Sequence, residues 1–265
     1  GYVSAPTIIA GKILKVPYVL HDCDAAPGLV TRKLAPYAKS VSLAFADAQK
    51  HIKNNKIYIN GNPIRAEFKA MTKEKALKNL GLNDKLTICI MGGSQGAKSI
   101  NNAAVKILKR LLDKNIQVIF QTGRKNFSQV SENLYEIYPE YKNNKNLVFK
   151  PYFDDMISVL KASDIVVGRS GSLSLSEICA CSAASILVPY PHAASDHQRV
   201  NAQYMAQNGA SIYIEDKDLT PDLLLKKIKS LVENPDKLEQ LKSHSGNLAK
   251  FDGAQKIVEQ LNSGL

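Results

Sequence analysis

The residues best suited to bind an anion form a glycine-rich stretch, MGGSQGAKSIN, at positions 91–101, directly after the apolar run 86–90. It combines three glycines with a hydroxyl and an amide side chain: Gly92, Gly93, Gly96, Ser94 and Gln95. Glycines let the main chain turn tightly and approach a ligand without a Cβ in the way, and the serine adds a donor. A pyrophosphate fits such a loop. The spacing matches neither GxGxxG nor GxxxxGK[ST], so an ordinary tight turn stays open as an alternative.

A second stretch, GRSGSLSLSE at positions 168–177, also places small residues between an apolar run and the start of a helix. Ser172 or Ser174 is suited to cap that helix, and Glu177 lies about one turn further on. Two interpretations of Glu177 remain open from the stretch itself. It is either the capping-box partner of Ser174 or an acceptor for the hydroxyls of a ribose.

A third stretch, VPYPHAASDHQRVNA at positions 188–202, follows the next predicted strand. Gln198 and Asn201 are three residues apart, so on a helix they share one face. Amide side chains of this kind suit the hydroxyl groups of a sugar. The alternative is the beginning of a helix with solvated polar residues.

The elements that must position these residues follow from alternating patterns. Short β-branched runs predict strands at 18–21, 41–45, 86–91, 117–121, 147–150, 165–167, 185–188 and 211–214. Amphipathic stretches such as 99–112 lie between them and predict helices. This alternation indicates an α/β fold with parallel sheets, in which ligands bind beyond the carboxyl ends of the strands.

The turn-rich segment Asn60-Gly61-Asn62-Pro63 predicts a boundary between two domains. We expect residues 1–61 to be the last part of one domain, residues 62–250 to form a complete Rossmann-like domain, and residues 251–265 to form a C-terminal helix. The first segment holds about two βα units, fewer than a Rossmann-like half needs. We therefore expect the chain to start partway through its first domain.

Composition limits the class of protein. The chain has 265 residues, 45% of them hydrophobic, and no apolar run approaches the eighteen residues of a membrane span, so we expect a soluble intracellular protein. Its net charge is +11, and residues 1–56 contribute +5 with eight Lys or Arg, three Asp and no Glu. Such an excess attracts anionic lipid or a phosphorylated substrate, or it is a solvated basic face. No RNP or zinc-finger pattern supports a nucleic-acid partner. The four cysteines show no CxxC pairing, which argues against a disulfide or zinc site.

Together the motifs closely resemble the MurG family of glycosyltransferases. The matching text, in the family's order, is GYVSAP, HDCDAAPGLVTRKLA, GNPIR, GGSQGAKSIN, PYFDDM, ASDIVVGRSGSLSLSEI and HQRVNA. The family moves N-acetylglucosamine from UDP-N-acetylglucosamine to the lipid-linked muramyl-pentapeptide precursor of peptidoglycan, with inversion. The resemblance implies a GT-B fold of two Rossmann-like domains, the first one incomplete in this chain. Segment 1–61 would then belong to the acceptor and membrane side, and 62–250 would bind the donor.

The resemblance also implies roles for individual residues. It places Arg65 at the donor's diphosphate, the main chain at Phe153 at uracil, Glu177 at the ribose and Gln198 at the N-acetylglucosamine. The full set of implied donor residues is Arg65, Gly93, Ser94, Gln95, Gly96, Phe153, Ser172, Leu173, Ser174, Glu177, Gln198 and Asn201. Tyr2 and Asp24 match positions on the acceptor side. No metal and no cofactor are expected, because Arg65 and helix N-termini would stabilise the leaving group.

The chain departs from the family pattern at several positions. His21-Asp22-Cys23-Asp24 stands where HEQN is usual, so Asp24 replaces an asparagine, and His197 stands where a second glutamine is common. The family's general base matches no residue here and is expected upstream of Gly1, so we expect this chain by itself to bind donor and transfer little sugar. The implied location is the inner face of the bacterial plasma membrane, with roles in cell wall biogenesis, cell shape and cell division. The alternatives are a UDP-N-acetylglucosamine 2-epimerase, a lipid galactosyltransferase or a non-catalytic nucleotide-sugar binding module.

Overall fold

The structure, a computed structural model, describes residues 1–263 and contains two parallel β-sheets. The nine strands are β1 Val19–Asp22, β2 Ser40–Leu43, β3 Ile57–Ile59, β4 Thr87–Met91, β5 Gln117–Gln121, β6 Leu147–Lys150, β7 Ile165–Gly168, β8 Ala184–Leu187 and β9 Ser211–Tyr213. The predicted strands lie within one or two residues of these bounds, and the α/β fold with parallel sheets is confirmed.

Strand order shows where a ligand can enter. The first sheet has the order β1-β2-β3, and the second has the order β6-β5-β4-β7-β8-β9. The second order is that of dinucleotide-binding folds, in which the chain runs outward from a central strand in one direction and then in the other. Its switch point lies between β4 and β7, which pair in parallel with Ile88 opposite Ile165. The loops that follow these two strands therefore diverge and leave a crevice.

Helices connect the strands and cover the sheets. They are α1 Ala5–Ile13, α2 Leu29–Leu34, α3 Glu67–Ala70, α4 Lys73–Leu80, α5 Lys98–Leu112, α6 Phe127–Ile137, α7 Met156–Ala162, α8 Ser172–Ala180, α9 His197–Gln207, α10 Pro221–Val232, α11 Pro235–Asn247 and α12 Gly253–Asn262. Short 3₁₀ helices lie at Tyr2–Ser4, Ala35–Tyr37, Ala46–His51, Arg124–Asn126, Pro139–Asn143, Ala194–Asp196 and Asp216–Asp218.

The second sheet is buried on both faces, which explains its continuous apolar strands. Alternate residues of β4 point to opposite sides: Ile88 and Ile90 pack with α5 and α10, whereas Cys89 and Met91 pack with α4, α7 and α8. A smaller cluster under the first sheet includes Val41. The crevice therefore rests on a rigid, well-packed support.

The chain passes from the first sheet to the second after β3 and returns at its end. Gly61, on the outward connection, packs against Lys250 on the return. A Cβ on Gly253 would lie 2.9 to 3.0 Å from the carbonyl oxygens of residues 60–62, so only glycine fits at the start of α12. Of the predicted helix 251–265, the last two residues lie outside the described part of the chain. The domain boundary between residues 61 and 62 stays a prediction.

Candidate functional site

A cleft of roughly 840 Å³ opens at the carboxyl ends of β4, β7, β8 and β9, beside the switch point. Three loops and the helices that follow them line it, together with a residue after β9. The lining residues are Gly92, Gly93, Ser94, Gln95, Gly96, Ala97, Lys98, Ser99, Arg169, Gly171, Ser174, Tyr190, Pro191, His192, Gln198 and Asp216. The structure thus brings together six of the predicted donor residues: Gly93, Ser94, Gln95, Gly96, Ser174 and Gln198.

The glycines of the first loop serve different purposes. Gly93 and Gly96 both have left-handed backbones, with φ of +78° and +76°. A Cβ at Gly93 would meet nothing within 4 Å, whereas one at Gly96 would overlap the carbonyl oxygen of Thr122. Gly93 therefore borders open space, and its contact with a ligand stays a prediction. Gly96 is instead required by close packing on the loop after β5, which corrects the expectation that the glycines serve ligand approach alike.

Three helices that begin around the cleft lack a side-chain cap. The N-cap residues of α5, α8 and α9 are Ala97, Gly171 and Asp196, and none of their side chains accepts a capping hydrogen bond. Their first turns also contain no acidic residue. The free N–H groups and the positive ends of the helix dipoles favour an anion at this place. The prediction that Ser172 or Ser174 caps α8 was wrong, since Gly171 occupies the N-cap position.

Arg169 forms the largest polar network in the cleft, and sequence reasoning did not single it out. Its Nη1 lies 2.5 Å from Oδ1 of Asp216 and also donates to the carbonyls of Val188 and Pro189. Its Nη2 donates to Oγ of Ser99 over 3.1 Å, and that hydroxyl donates to Asp216 over 2.6 Å. The network joins the loops after β7, β8 and β9 to the first turn of α5. The sequence did contain a signal for this network, because Asp216 follows the carboxyl end of a predicted parallel strand.

Glu177 pairs with Arg65, and not with Ser174 as a capping box would require. Nη2 of Arg65 lies 3.5 Å from Oε1 of Glu177. Burial raises the pKa of the Glu177 carboxyl above its usual range, and the nearby Arg65 guanidinium counteracts part of this effect. Glu177 lies one helical turn beyond Ser174, which lines the cleft. The pair thus brings together the two residues expected at the ribose and the diphosphate.

Gln198 is held with a defined orientation at the beginning of α9. Its Oε1 accepts the N–H of Tyr190 over 3.0 Å, and its carbonyl accepts the hydroxyl of Ser170 over 2.7 Å. Because Oε1 is engaged on one side, the Nε2 donors point to the other. Such an amide suits the recognition of sugar hydroxyl or acetamido oxygens.

Asn201 lies outside the cleft lining and is fully buried. Its Oδ1 accepts the N–H of Ala25 over 2.8 Å, and its Nδ2 donates to Oδ1 of Asp24 over 2.9 Å and to the carbonyl of Ser170 over 3.1 Å. The amide is therefore occupied by protein groups, two of them in the loop after β1. Its predicted contact with the sugar remains untested, and Asp24 of the predicted acceptor side lies directly against it.

The remaining predicted residues lie apart from the cleft lining. Phe153 is buried, and its N–H donates to Oε1 of Gln121 over 2.9 Å, so this main-chain donor already has a partner. Ser172 is buried at the start of α8, and Leu173 beside it is exposed. Tyr2 is 85% exposed in the first 3₁₀ helix. The roles implied for these residues stay predictions.

Asp22, Cys23 and Asp24 bring their potential ligand atoms within 4.8 Å of one another. The carboxylate of Asp22, however, accepts the N–H groups of Asp24 over 3.3 Å and of Gly28 over 3.1 Å. These bonds shape the loop after β1. We propose no metal at this loop.

The two parallel sheets, the strand order of the second and the anion-binding cleft at its switch point define a nucleotide-binding protein of the GT-B type. The sequence pattern of the glycosyltransferase family 28 C-terminal domain matches residues 87–261. The chain is 38% identical over 265 residues to a protein of Thermoanaerobacter sp. (strain X514), covering 99% of this chain and 72% of the relative. That protein is named UDP-N-acetylglucosamine–N-acetylmuramyl-(pentapeptide) pyrophosphoryl-undecaprenol N-acetylglucosamine transferase.

Solved structures agree with this match. The crystal structure of MurG from Acinetobacter baumannii superimposes with a TM-score of 0.78 at 25% identity, covering 99% of this chain and 72% of that one. A crystal structure from Listeria monocytogenes is described as a UDP-N-acetylglucosamine 2-epimerase. It superimposes with a TM-score of 0.69 at 12% identity, covering 97% of this chain and 70% of that one, which shows a shared fold. The chain belongs to the MurG family of glycosyltransferase family 28.

Proposed function

We propose that the protein transfers N-acetylglucosamine from UDP-N-acetylglucosamine to the lipid-linked muramyl-pentapeptide precursor of peptidoglycan, with inversion at the anomeric carbon. The observation that carries the proposal is the convergence of three uncapped helix N-termini, those of α5, α8 and α9, on one cleft at the switch point. This arrangement suits the diphosphate of a nucleotide sugar. The name of the 38% identical relative supplies the sugar and the acceptor.

The residues of the cleft, together with the pair Arg65 and Glu177 outside its lining, fit the steps of such a transfer. An acceptor hydroxyl forms a bond to the anomeric carbon while the bond from that carbon to the phosphate oxygen breaks, and a base takes up the hydroxyl proton. The leaving UDP gains negative charge, which the N-termini of α5 and α8 and the guanidinium of Arg65 stabilise. Gln198 orients the sugar, and Glu177 accepts hydrogen bonds from the ribose. Stabilisation of the leaving UDP by the helix N-termini and Arg65 requires no metal ion.

The assay for this function follows radiolabelled N-acetylglucosamine from its UDP donor into a lipid-linked muramyl-pentapeptide. The protein, expressed from its complete open reading frame, is expected to label the lipid fraction and to release UDP in equal amount. Consumption of the donor with formation of UDP-N-acetylmannosamine, or with no labelled lipid at all, would contradict the proposal.

Glu177 provides a test of the donor site. Glu177→Ala is expected to weaken UDP binding by about 1.5–3 kcal/mol, because a charge-assisted hydrogen bond to the ribose is lost. Calorimetry measures the affinity, with Glu239→Ala as the control, since Glu239 is exposed and pairs with Lys242. Because the ribose contact needs the carboxylate and burial raises the pKa of Glu177, wild-type affinity should fall as the pH is lowered through that pKa. Equal affinity of Glu177→Ala and wild type would remove Glu177 from the site.

We call the predicted domains 1–61, with the first sheet, and 62–250, with the second sheet, the first and second units. We further propose that the first unit docks on an anionic membrane surface, where the lipid-linked acceptor resides. No helix within residues 1–263 is long and apolar enough to span a bilayer. Helix α1 has no buried residue, and the apolar side chains of Ile13 and Leu14 at its end are 73% and 72% exposed. Lys12 and Lys15 lie beside them in the segment 1–56, which carries a net charge of +5. Exposed apolar groups among lysines suit the interface of an anionic membrane.

The double variant Lys12→Gln/Lys15→Gln is expected to bind vesicles of anionic phospholipid about 30-fold more weakly, since each lysine near such a surface contributes about 1 kcal/mol. Binding by the wild-type protein should also weaken as salt rises, because exposed charges are screened. Sedimentation with vesicles measures both effects. Lys142→Gln/Lys145→Gln, with the same change of charge on the second unit, serves as the control. Binding that ignores salt, or equal losses in both double variants, would exclude this surface.

A further inference from the structure

Asn201 forms a polar connection between the two units of the chain. The side chain extends from α9, is fully buried and makes three hydrogen bonds. Two of them reach the loop after β1, at Asp24 and at the N–H of Ala25, and the third reaches the carbonyl of Ser170 in the loop after β7. A buried amide with both ends engaged holds its partners at fixed distances.

The partners of Asn201 are themselves tied to both sides of the cleft. The hydroxyl of Ser170 donates to the carbonyl of Gln198, whose side chain lines the cleft. On the other side, Asp22 accepts N–H bonds from Asp24 and Gly28 and keeps the loop after β1 in one shape. A displacement of that loop is therefore transmitted through Asn201 to the segment that positions Gln198.

A second contact secures the same loop against α8. Nδ2 of Asn62 donates to the carbonyl of Cys23 over 3.2 Å and to Oγ of Ser176 over 3.1 Å. Ser176 lies next to Glu177, whose carboxylate pairs with Arg65. The loop after β1 is thus bonded toward α8 and α9, two of the three helices that begin at the cleft.

The carboxylate of Asp24 determines how the side-chain amide of Asn201 is oriented. A carboxylate offers acceptors, so it pairs with Nδ2 of Asn201 and leaves Oδ1 for the N–H of Ala25. An asparagine in place of Asp24 would pair with either end of the amide. The carboxylate therefore specifies one orientation of Asn201.

We propose that Asn201 and Asp24 act as positioning residues, forming a brace that sets the loop after β1, on the predicted acceptor side, at a fixed distance from the bound donor sugar. The inference rests on the proposed transferase function. Neither Asn201 nor Asp24 lines the cleft, so we expect the brace to contribute to the rate of transfer and not to the affinity for UDP.

The test is a double-mutant cycle with the protein from its complete open reading frame: Asn201→Asp, Asp24→Asn and the combination of the two. Asn201→Asp removes the Nδ2 donor and places a second carboxylate against Asp24. We expect kcat to fall by about tenfold to a hundredfold, as displaced positioning groups do, with the Kd for UDP within about threefold of wild type. The combined variant reverses the donor and acceptor and should recover about fivefold or more of the lost kcat, although the Ser170 carbonyl still lacks its donor.

The matched control is Asn208→Asp, the same change at an exposed position directly after the same helix, where Nδ2 bonds to the carbonyl of Tyr204. It should leave kcat unchanged. Hydrogen exchange of the peptide covering 23–28 gives a readout independent of activity. We expect this peptide to exchange faster in Asn201→Asp than in wild type, and more slowly in the combined variant than in Asn201→Asp. If wild type transfers no sugar, the proposed function fails while exchange still decides the brace. Unchanged exchange in Asn201→Asp, or a combined variant no better than Asn201→Asp, would overturn the inference.

Discussion

Replacement of Arg169 by alanine is expected to lower the free energy of unfolding by about 3 kcal/mol, because it leaves the mostly buried Asp216 carboxylate without its cation. The two side chains are 13% and 19% exposed, so water screens their pairing little. The substitution also removes the donor to the carbonyls of Val188 and Pro189. Urea denaturation measures the loss. Since the network joins three loops of the cleft to the first turn of α5, the variant should bind UDP less tightly as well.

A matched ion pair on the surface provides the control. Arg110 and Asp222 are 57% and 93% exposed and lie 3.7 Å apart, so Arg110→Ala should cost less than about 1 kcal/mol. The double variant Arg169→Ala/Asp216→Ala removes the uncompensated charge and should recover part of the stability lost by Arg169→Ala. Similar losses of unfolding free energy in Arg169→Ala and Arg110→Ala would show that the Arg169 network stabilises the protein no more than an exposed ion pair does.

The second large effect is expected at Gly96. Gly96→Ala should destabilise the protein by about 2–5 kcal/mol, with about 1–2 from the left-handed backbone and about 1–3 from overpacking. The new Cβ would overlap the carbonyl of Thr122 and lie 2.5 Å from Nδ2 of Asn126. Because the obstacle includes main chain at the end of β5, the glycine loop has to move. Thermal or urea unfolding measures the stability, and calorimetry measures the accompanying loss of UDP affinity.

Gly93→Ala separates the two contributions. Gly93 has nearly the same φ, but its Cβ would meet nothing within 4 Å, so it should show the backbone cost without the collision. The difference in unfolding free energy between the two variants is expected to exceed about 1 kcal/mol. Equal destabilisation would mean that the loop after β5 yields easily and that Gly96 is not a packing requirement.

The fold could be predicted because its signals are local. Each strand of the second sheet is a short apolar run bounded by turn residues, and α5 shows a helical pattern from its second residue, Ser99. Strands that alternate with helices have few possible arrangements. The position of the cleft followed in turn, since small and polar residues after β4, β7 and β8 must meet at one edge of a parallel sheet.

The pairing of side chains within the site could not be predicted. From its own stretch Glu177 was either the capping-box partner of Ser174 or an acceptor for ribose hydroxyls, yet it pairs with Arg65, more than a hundred residues earlier. Asn201 shares a helix face with Gln198, but its amide is occupied by Asp24 and Ala25 of the other unit. Such contacts depend on how distant segments approach in three dimensions, and periodicity along one segment carries no information about them. The pairing of Arg169 with Asp216 across two further strands was missed for the same reason, although the sequence does place both residues after strands of the parallel sheet.

The chain passes between the two sheets twice, near Gly61 and near Lys250, and these two crossings limit how the sheets can move relative to each other. Two neighbouring segments of backbone join the units, and the start of α12 at Gly253 is seated under the carbonyls of the outward segment. A single connecting strand would allow one unit to swivel, whereas two strands fixed side by side resist torsion and sliding. What remains easy is bending about the line through both crossings. We therefore expect any movement between the two sheets to be mainly a rotation about that line, a movement that the hydrogen bonds from Asn201 to Asp24 and Ala25 oppose.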